Sequence, residues 1–345
     1  MAGTSHTPFQ LSGRYADLNR WEVLGGPGDA RPTALKVVED ENLLGKMSDK
    51  VAVVTGVSSG MGPATVRGIA ATGATVFVTA RNLEKAKEAL GDVLDGGRVR
   101  LVYMDQVDLS TVRSCAAEIR KRAPGGKLNI MINNAAVMNT PQEKTKDGFE
   151  LQFGTNHLAH FLLFYLLKDM LLAGSTPEFH SRVVNVSSTG HRYSPMRFED
   201  LNFEAEGAYD GWAAYGQSKT ANIYMANQIE RLYGAQGLHG LSASPGSFYS
   251  PNLQKYTMEA VEAALKDPRM SKYFGNLEQG ASTSLFGAVS KDLEGRGALY
   301  LEGTSIAGPV PADGDIIEYG YGTWAFDKEK EEKLWDVSKT MVGVE

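Results

Sequence analysis

The chain predicts an α/β class fold, a doubly wound Rossmann fold with a seven-stranded parallel sheet and helices on both faces. Three observations carry this. From Val51 onward, short β-branched runs alternate with longer helical patterns. The runs are apolar throughout and do not alternate with polar residues, as expected of strands covered on both faces. The first run leads directly into a glycine-rich turn that opens a helix, the arrangement that places a ligand's phosphates on a helix N-terminus.

The strand candidates, in order, are 51–55, 75–79, 98–104, 128–132, 182–186, 240–244 and 298–301. Between them, helical patterns fall at about 61–72, 83–90, 110–122, 148–173, 212–233 and 277–290. Residues 51–345 read as one Rossmann domain. Residues 1–50, rich in Gly, Pro and charge, with a helical pattern near 32–44, read as an N-terminal arm packed on it. The segments 189–211 and 246–276 lack strong periodicity and follow the carboxyl ends of strands, where open α/β sheets bind ligands. They are the expected substrate loops.

Composition narrows the function. A net charge of −6 with no long basic run argues against a nucleic-acid partner, which would require clustered Lys and Arg. The single cysteine, Cys115, rules out an internal disulfide and suits a reducing compartment. The apolar stretch 158–172 is short and carries His160, Lys168 and Asp169, so no membrane span is expected. No secretory pattern opens the chain, and a cytoplasmic location follows as the default. No metal is expected, because His157 and His160 lack further ligands at metal spacing.

The glycine-rich turn runs Thr55-Gly56-Val57-Ser58-Ser59-Gly60-Met61-Gly62. Its glycines permit close approach of backbone to a pyrophosphate. The same residues satisfy a hydrolase elbow, G-x-S-x-G with Ser58 as nucleophile, although nothing resembling an oxyanion-hole loop precedes this first strand. At the end of the second strand, Arg81 stands where an acidic residue would bind ribose hydroxyls, and its charge suits a 2′-phosphate. NADP(H) is thus favoured, with NAD(H) left open. Tyr215 and Lys219, four residues apart, share a helix face. A cation beside a phenol lowers the phenol's pKa, as a general acid/base for a carbonyl–alcohol pair requires. Ser187 and Ser188 end a strand, where a hydroxyl can hold a substrate oxygen, and Asn133-Asn134-Ala135-Ala136 would wall the cofactor site. His191, just beyond Ser188, is a candidate substrate contact. Tyr193, Trp212, Phe248, Tyr249, Leu253 and Tyr256 concentrate in the two loops and suggest an apolar or aromatic pocket.

Together these motifs resemble the short-chain dehydrogenase/reductase family, in its retinol-dehydrogenase-like and WW-domain-oxidoreductase-like branch, including fungal-type members. They are TGVSSGMG, NNAA, NHLAHFLL, RVVNVSS, AYGQSK and SPG, in order between about Lys50 and Gly343. The FEDLNF run at 198–203 is typical of that branch. The resemblance implies a catalytic set of Asn156, Ser188, Tyr215 and Lys219, with Tyr215 as acid/base and Lys219 also holding the nicotinamide ribose. It places Gly56, Ser58, Ser59, Gly60, Met61 and Gly62 on the phosphates, and Asp105 and Gln106 on adenine. Asn133 falls at the adenosine ribose, Ala135 in the cofactor wall, and Pro245 and Gly246 beside the nicotinamide. Ser250 would replace the threonine that commonly touches the nicotinamide amide. Ala136 stands where the family usually has Gly.

The expected function is NADP(H)-dependent hydride transfer involving a lipophilic small-molecule substrate. That substrate is a ketone, aldehyde or secondary alcohol of the polyketide, terpenoid or steroid-like kind met in secondary metabolism, with ketoreductase chemistry favoured. A non-catalytic dinucleotide-sensing interaction protein and a Ser58 hydrolase are the alternatives. Whether the chain forms a homo-oligomer is left open.

Overall fold

The computed structural model describes residues 10–311, 314–315 and 317–345; the first nine residues of the expected arm lie outside that range. At the centre, β2 (Val51–Thr55) is buried along its whole length. It pairs in parallel with β3 (Thr75–Ala80) on one side and β5 (Ile130–Asn133) on the other. Beyond β3 lies β4 (Val99–Tyr103). Beyond β5 come β6 (Ser181–Val186), β7 (Leu238–Ser244) and β8 (Leu299–Glu302), all parallel. These seven are the predicted strands, with ends shifted by one or two residues.

The sheet has nine strands rather than seven. After β8 the chain turns back through Gly303 and Thr304, both with positive φ, into β9 (Ser305–Ala307), which runs antiparallel. A two-residue turn with positive φ at both positions matches the twist of a hairpin. β1 (Leu11–Ser12) then pairs with β9, so the arm extends the sheet as well as packing on it.

Helices cover both faces. On one lie α1 (Ala34–Asp40), α2 (Gly62–Ala71) and α3 (Leu83–Leu90). The other carries α4 (Leu109–Arg122), α5 (Leu151–Gly174) and α6 (Gly211–Tyr233). Side-chain oxygens of Asn82, Asp108 and Asp210 cap α3, α4 and α6, giving their first free N–H groups a partner. The segment 246–276, expected as a loop, contains α7 (Met258–Lys266) and α8 (Pro268–Tyr273). Then follow α9 (Leu277–Val289), opened by an Asn276/Gln279 capping box, and α10 (Lys328–Val342).

α5 has 24 residues and is long and apolar enough to cross a bilayer by length and composition, yet 67% of its most apolar stretch is buried inside the fold. Phe161, Leu162, Leu163 and Phe164 are fully buried, each worth about 1.5–3 kcal/mol of burial. α10 supplies part of that cover: the Trp335 ring lies 4.9 Å from Phe161 and 5.9 Å from Phe164. The arm is tied in by Arg31, whose guanidinium donates to the Tyr273 and Phe274 carbonyls at 2.8 and 2.7 Å.

At the end of β8, Glu302 is fully buried and accepts hydrogen bonds from the Ser244 hydroxyl (3.1 Å) and the Gly320 N–H (2.7 Å). Burial outweighs both bonds and pushes its carboxyl up to about 7. The folded protein therefore holds this proton more tightly than the unfolded chain. The resulting stabilisation is complete below about pH 4.5, the ordinary value for a Glu, and is lost as pH rises through 7. Thermal melts of Glu302→Gln should show a Tm above wild type by about 2–5 °C at pH 8, with little gain at pH 4.5. Parallel pH dependences in the two proteins would contradict this assignment.

Candidate active site

The strand order reverses where β2 lies between β3 and β5, and the carboxyl ends of those strands open onto a cavity of about 220 Å³. Gly56, Ser58, Ser59, Gly60, Met61 and Gly62 line one side of it. Two of these positions need glycine. A Cβ on Gly56, which has φ +72°, would sit 2.6 Å from the Ala135 Cα, and one on Gly62 would sit 2.2 Å from the Gly56 carbonyl oxygen. The wall opposite is held by the Thr55 hydroxyl, which accepts the N–H groups of Asn134 (2.9 Å) and Ala135 (3.0 Å).

Arg81, Asp105 and Gln106 line the cavity together, as expected of an adenosine end. Arg81 is exposed. Among the described residues its guanidinium has no hydrogen bond or ion pair, so it is available to an anion. Asn133 is a correction: it is buried within the sheet, its amide donating to Asn185 at 2.7 Å, and does not reach the cavity. Its neighbour Asn134 does, because the strand ends there and the chain turns outward. Ala135 and Ala136 both line the wall.

Tyr215 and Lys219 lie one turn apart on α6 at the other end of the cavity, with the amine 5.5 Å from the phenol ring centroid. Lys219 Nζ donates to the Val186 carbonyl at 3.0 Å. Ser188 stands beside the phenol: a Cβ on Gly190 would meet both the Tyr215 ring at 2.6 Å and Ser188 Oγ at 3.3 Å. Ser187 lines the cavity but donates its hydroxyl to the Lys219 carbonyl at 2.9 Å, a structural role. His191 is not the substrate contact expected. It is fully buried, Nε2 accepting from the Gly322 N–H (2.9 Å) and Nδ1 facing the Ser188 carbonyl (2.6 Å), so it braces the catalytic strand end.

The electrostatics differ from the simple expectation of an acidified phenol. Burial pushes Tyr215 up to about 12, and the Ser188 hydroxyl draws it only partly back. Burial also lowers Lys219 to about 7, which weakens it as a cation beside the phenol.

Asn156 does not line the cavity. It lies in a π turn, Gly154–Leu158, within the helix predicted as regular. Its side chain accepts from the Val137 N–H (2.9 Å) and donates to the Val137 carbonyl (3.0 Å) and Ser218 Oγ (2.9 Å), fastening the wall to α6. The residue before it, Thr155, which the motif reading did not single out, faces the cavity instead. Pro245 also lines the cavity, whereas Gly246 borders a separate space of about 30 Å³ beside Arg31 and Tyr273. Ser250 lines the cavity over the glycine turn, its Oγ 3.0 Å from where a Gly60 Cβ would be. Phe248 and Leu253 complete the cover, while Tyr193 and Trp212 (ring centroids 5.1 Å apart) lead from Tyr215 outward.

Gln106 Nε2, Asn134 Oδ1 and Thr155 Oγ1 are buried without partners, and all three residues line this cavity. Buried polar atoms are rarely left unpaired, so their clustering fits a polar ligand between them. With a glycine cradle at one end and a phenol–amine pair at the other, the cavity is that of a dinucleotide-dependent oxidoreductase. The relatives agree. A family model described as short chain dehydrogenase matches residues 50–199. The chain is 44% identical over 319 residues, 92% of each protein, to the short-chain dehydrogenase/reductase prx1 of Penicillium roqueforti. It is 34% identical to retinol dehydrogenase 12 of Mus musculus, over 86% of this chain and 87% of that one. A solved structure of an uncharacterized protein from Mycobacterium paratuberculosis superposes with a TM-score of 0.64 at 30% identity, covering 86% of this chain and 94% of that one. The chain belongs to the short-chain dehydrogenase/reductase family.

Proposed function

We propose that the protein is an NADP(H)-dependent reductase of lipophilic ketones and aldehydes. The observation that carries this reading is the Tyr215 phenol lining the cavity opposite the glycine turn, with Ser188 beside the phenol and the Lys219 amine one helical turn on. A reduced nicotinamide, when bound, supplies the hydride. The Ser188 hydroxyl would hydrogen-bond the substrate oxygen and Tyr215 would give it a proton. Burial keeps the phenol protonated at neutral pH, the form that the reductive direction requires of an acid. Lys219, poised near 7, would return the proton and hold the ribose.

The unpaired Arg81 supports NADP(H) over NAD(H), since a guanidinium at this strand end suits a 2′-phosphate. Phe248 in the cavity wall, and the Tyr193 and Trp212 rings that lead outward from Tyr215, support an apolar substrate. A cytoplasmic location is compatible with the buried free Cys115 and with the packing of α5 inside the fold. A Ser58 hydrolase finds no free histidine among the described residues to serve as its base. Each described histidine is engaged elsewhere: His157 with Ser338, His160 with Thr55, His180 with Glu294, His191 with Gly322 and His239 with Glu230.

Tyr215→Phe should lower turnover of an alkyl aryl ketone by about 10²–10⁴-fold while leaving the NADPH Kd within about twofold of wild type. Retained turnover would overturn the assignment of the acid. Arg81→Asp should shift the NADPH/NADH ratio of kcat/KM toward NADH by at least about tenfold. An unchanged ratio would remove the 2′-phosphate from the account.

A further inference from the structure

His160 lies one turn beyond Asn156 on α5 and is fully buried. Its Nε2 is 2.9 Å from Thr55 Oγ1 and its Nδ1 is 2.9 Å from the Asn156 carbonyl oxygen. Thr55 determines which nitrogen holds the proton. Its hydroxyl already accepts from the Asn134 and Ala135 N–H groups, which uses both lone pairs. Its own proton therefore goes to His160 Nε2, so Nε2 is an acceptor and Nδ1–H donates to the Asn156 carbonyl. Burial, assisted by the nearby Lys219 charge, lowers the ring to about 4 and keeps it neutral, although the bond to Asn156 opposes the shift.

The two ends of this imidazole bridge belong to different halves of the site. Thr55 shapes the Asn134–Ala135 wall, against which Gly56 packs without room for a side chain. Asn156 fastens Val137 and, through Ser218, the turn of α6 that carries Tyr215 and Lys219. The Asn156 turn is also the place where α5 widens, with the Ala159 N–H bonded five residues back to the Gly154 carbonyl. Such π turns are uncommon and frequent at functional sites. An extra donor to the Asn156 carbonyl pins the turn from within.

We propose that His160 is a positioning residue that, as a neutral Nδ1–H tautomer, locks the Asn156 turn to the end of β2. The dinucleotide cradle and the Tyr215–Lys219 helix then behave as one unit. Loss of the imidazole loosens both together. The turnover part of this inference rests on the reductase reading; the cofactor-binding part does not.

The test is a double-mutant cycle on Thr55→Val, which keeps the shape and removes the hydroxyl, and His160→Phe. NADPH Kd by titration and kcat on an alkyl aryl ketone are measured, with Tm recorded for each variant. His160→Phe should weaken NADPH and lower kcat by about tenfold, in the range expected for one buried hydrogen bond left unmade, and Thr55→Val by more, because it also strips the acceptor from the Asn134 and Ala135 N–H groups. The double variant should resemble Thr55→Val alone, about tenfold short of the product of the two single losses that independent sites would give. Thr55→Ser, which retains the hydroxyl, should restore both quantities. His160→Phe with wild-type Kd and kcat, or strictly multiplicative losses in the double variant, would overturn the proposal. If His160→Phe does not fold, Thr55→Val and His160→Gln decide it: unchanged NADPH Kd in both overturns it. If turnover survives Tyr215→Phe, the reductase reading fails, while the coupling in NADPH Kd still decides this one.

Discussion

The hydroxyl of Thr55, at the point where the sheet reverses its winding, has no hydrogen-bonding capacity left over. Two amides of the following wall donate to it and its proton goes to His160. The cavity's geometry depends on that saturation. It brings the Asn134–Ala135 segment against the glycine turn so closely that Gly56 can hold no side chain, and it connects the strand end to the helix carrying Asn156. A parallel sheet leaves the carboxyl ends of its strands as a row of unfinished turns. Here one side chain organises the central pair of them, and α5 and α6 are fastened outward from it.

The second constraint is dehydration. Tyr215 and Lys219 are almost entirely removed from water, and burial moves their pKa values apart, the phenol to about 12 and the amine to about 7. That is the opposite of a phenol acidified by a strong neighbouring cation, and it leaves the phenol in its protonated form. The same dehydration leaves Gln106, Asn134 and Thr155 with unpaired polar atoms facing the cavity, and a polar ligand would relieve them. The protein binds its cofactor, in this reading, partly because its own lining is unsatisfied without one.

The seven parallel strands were legible because burial on both faces leaves continuous β-branched runs, and the boundaries of 51–55 and 83–90 match the structure. The hairpin of β8 and β9 was not, since a three-residue strand has no periodicity to detect; its signal was the Gly303-Thr304 turn. The helices α7 and α8 escaped because α7 buries no residue fully and α8 spans barely more than a turn. Motif order located Tyr215, Lys219 and the glycine turn at one cavity, with Ser188 beside the phenol. It misplaced Asn133 by one residue, since side chains on a strand alternate and only the residue after the strand turns outward. The roles of Thr55, His160 and His191 lie in tertiary hydrogen bonds between residues far apart in the chain, which no local pattern encodes.

The reductase account claims that hydride passes directly from a nicotinamide to a carbonyl carbon under the proton supplied by Tyr215. Single-turnover reduction of an alkyl aryl ketone with NADPH deuterated at one face of nicotinamide C4 measures this directly. One deuterium is expected on the carbinol carbon from one of the two labelled faces and none from the other, with Tyr215→Phe transferring it about 10²–10⁴-fold more slowly. Product lacking the label from both faces, or formed equally well without the dinucleotide, would contradict it.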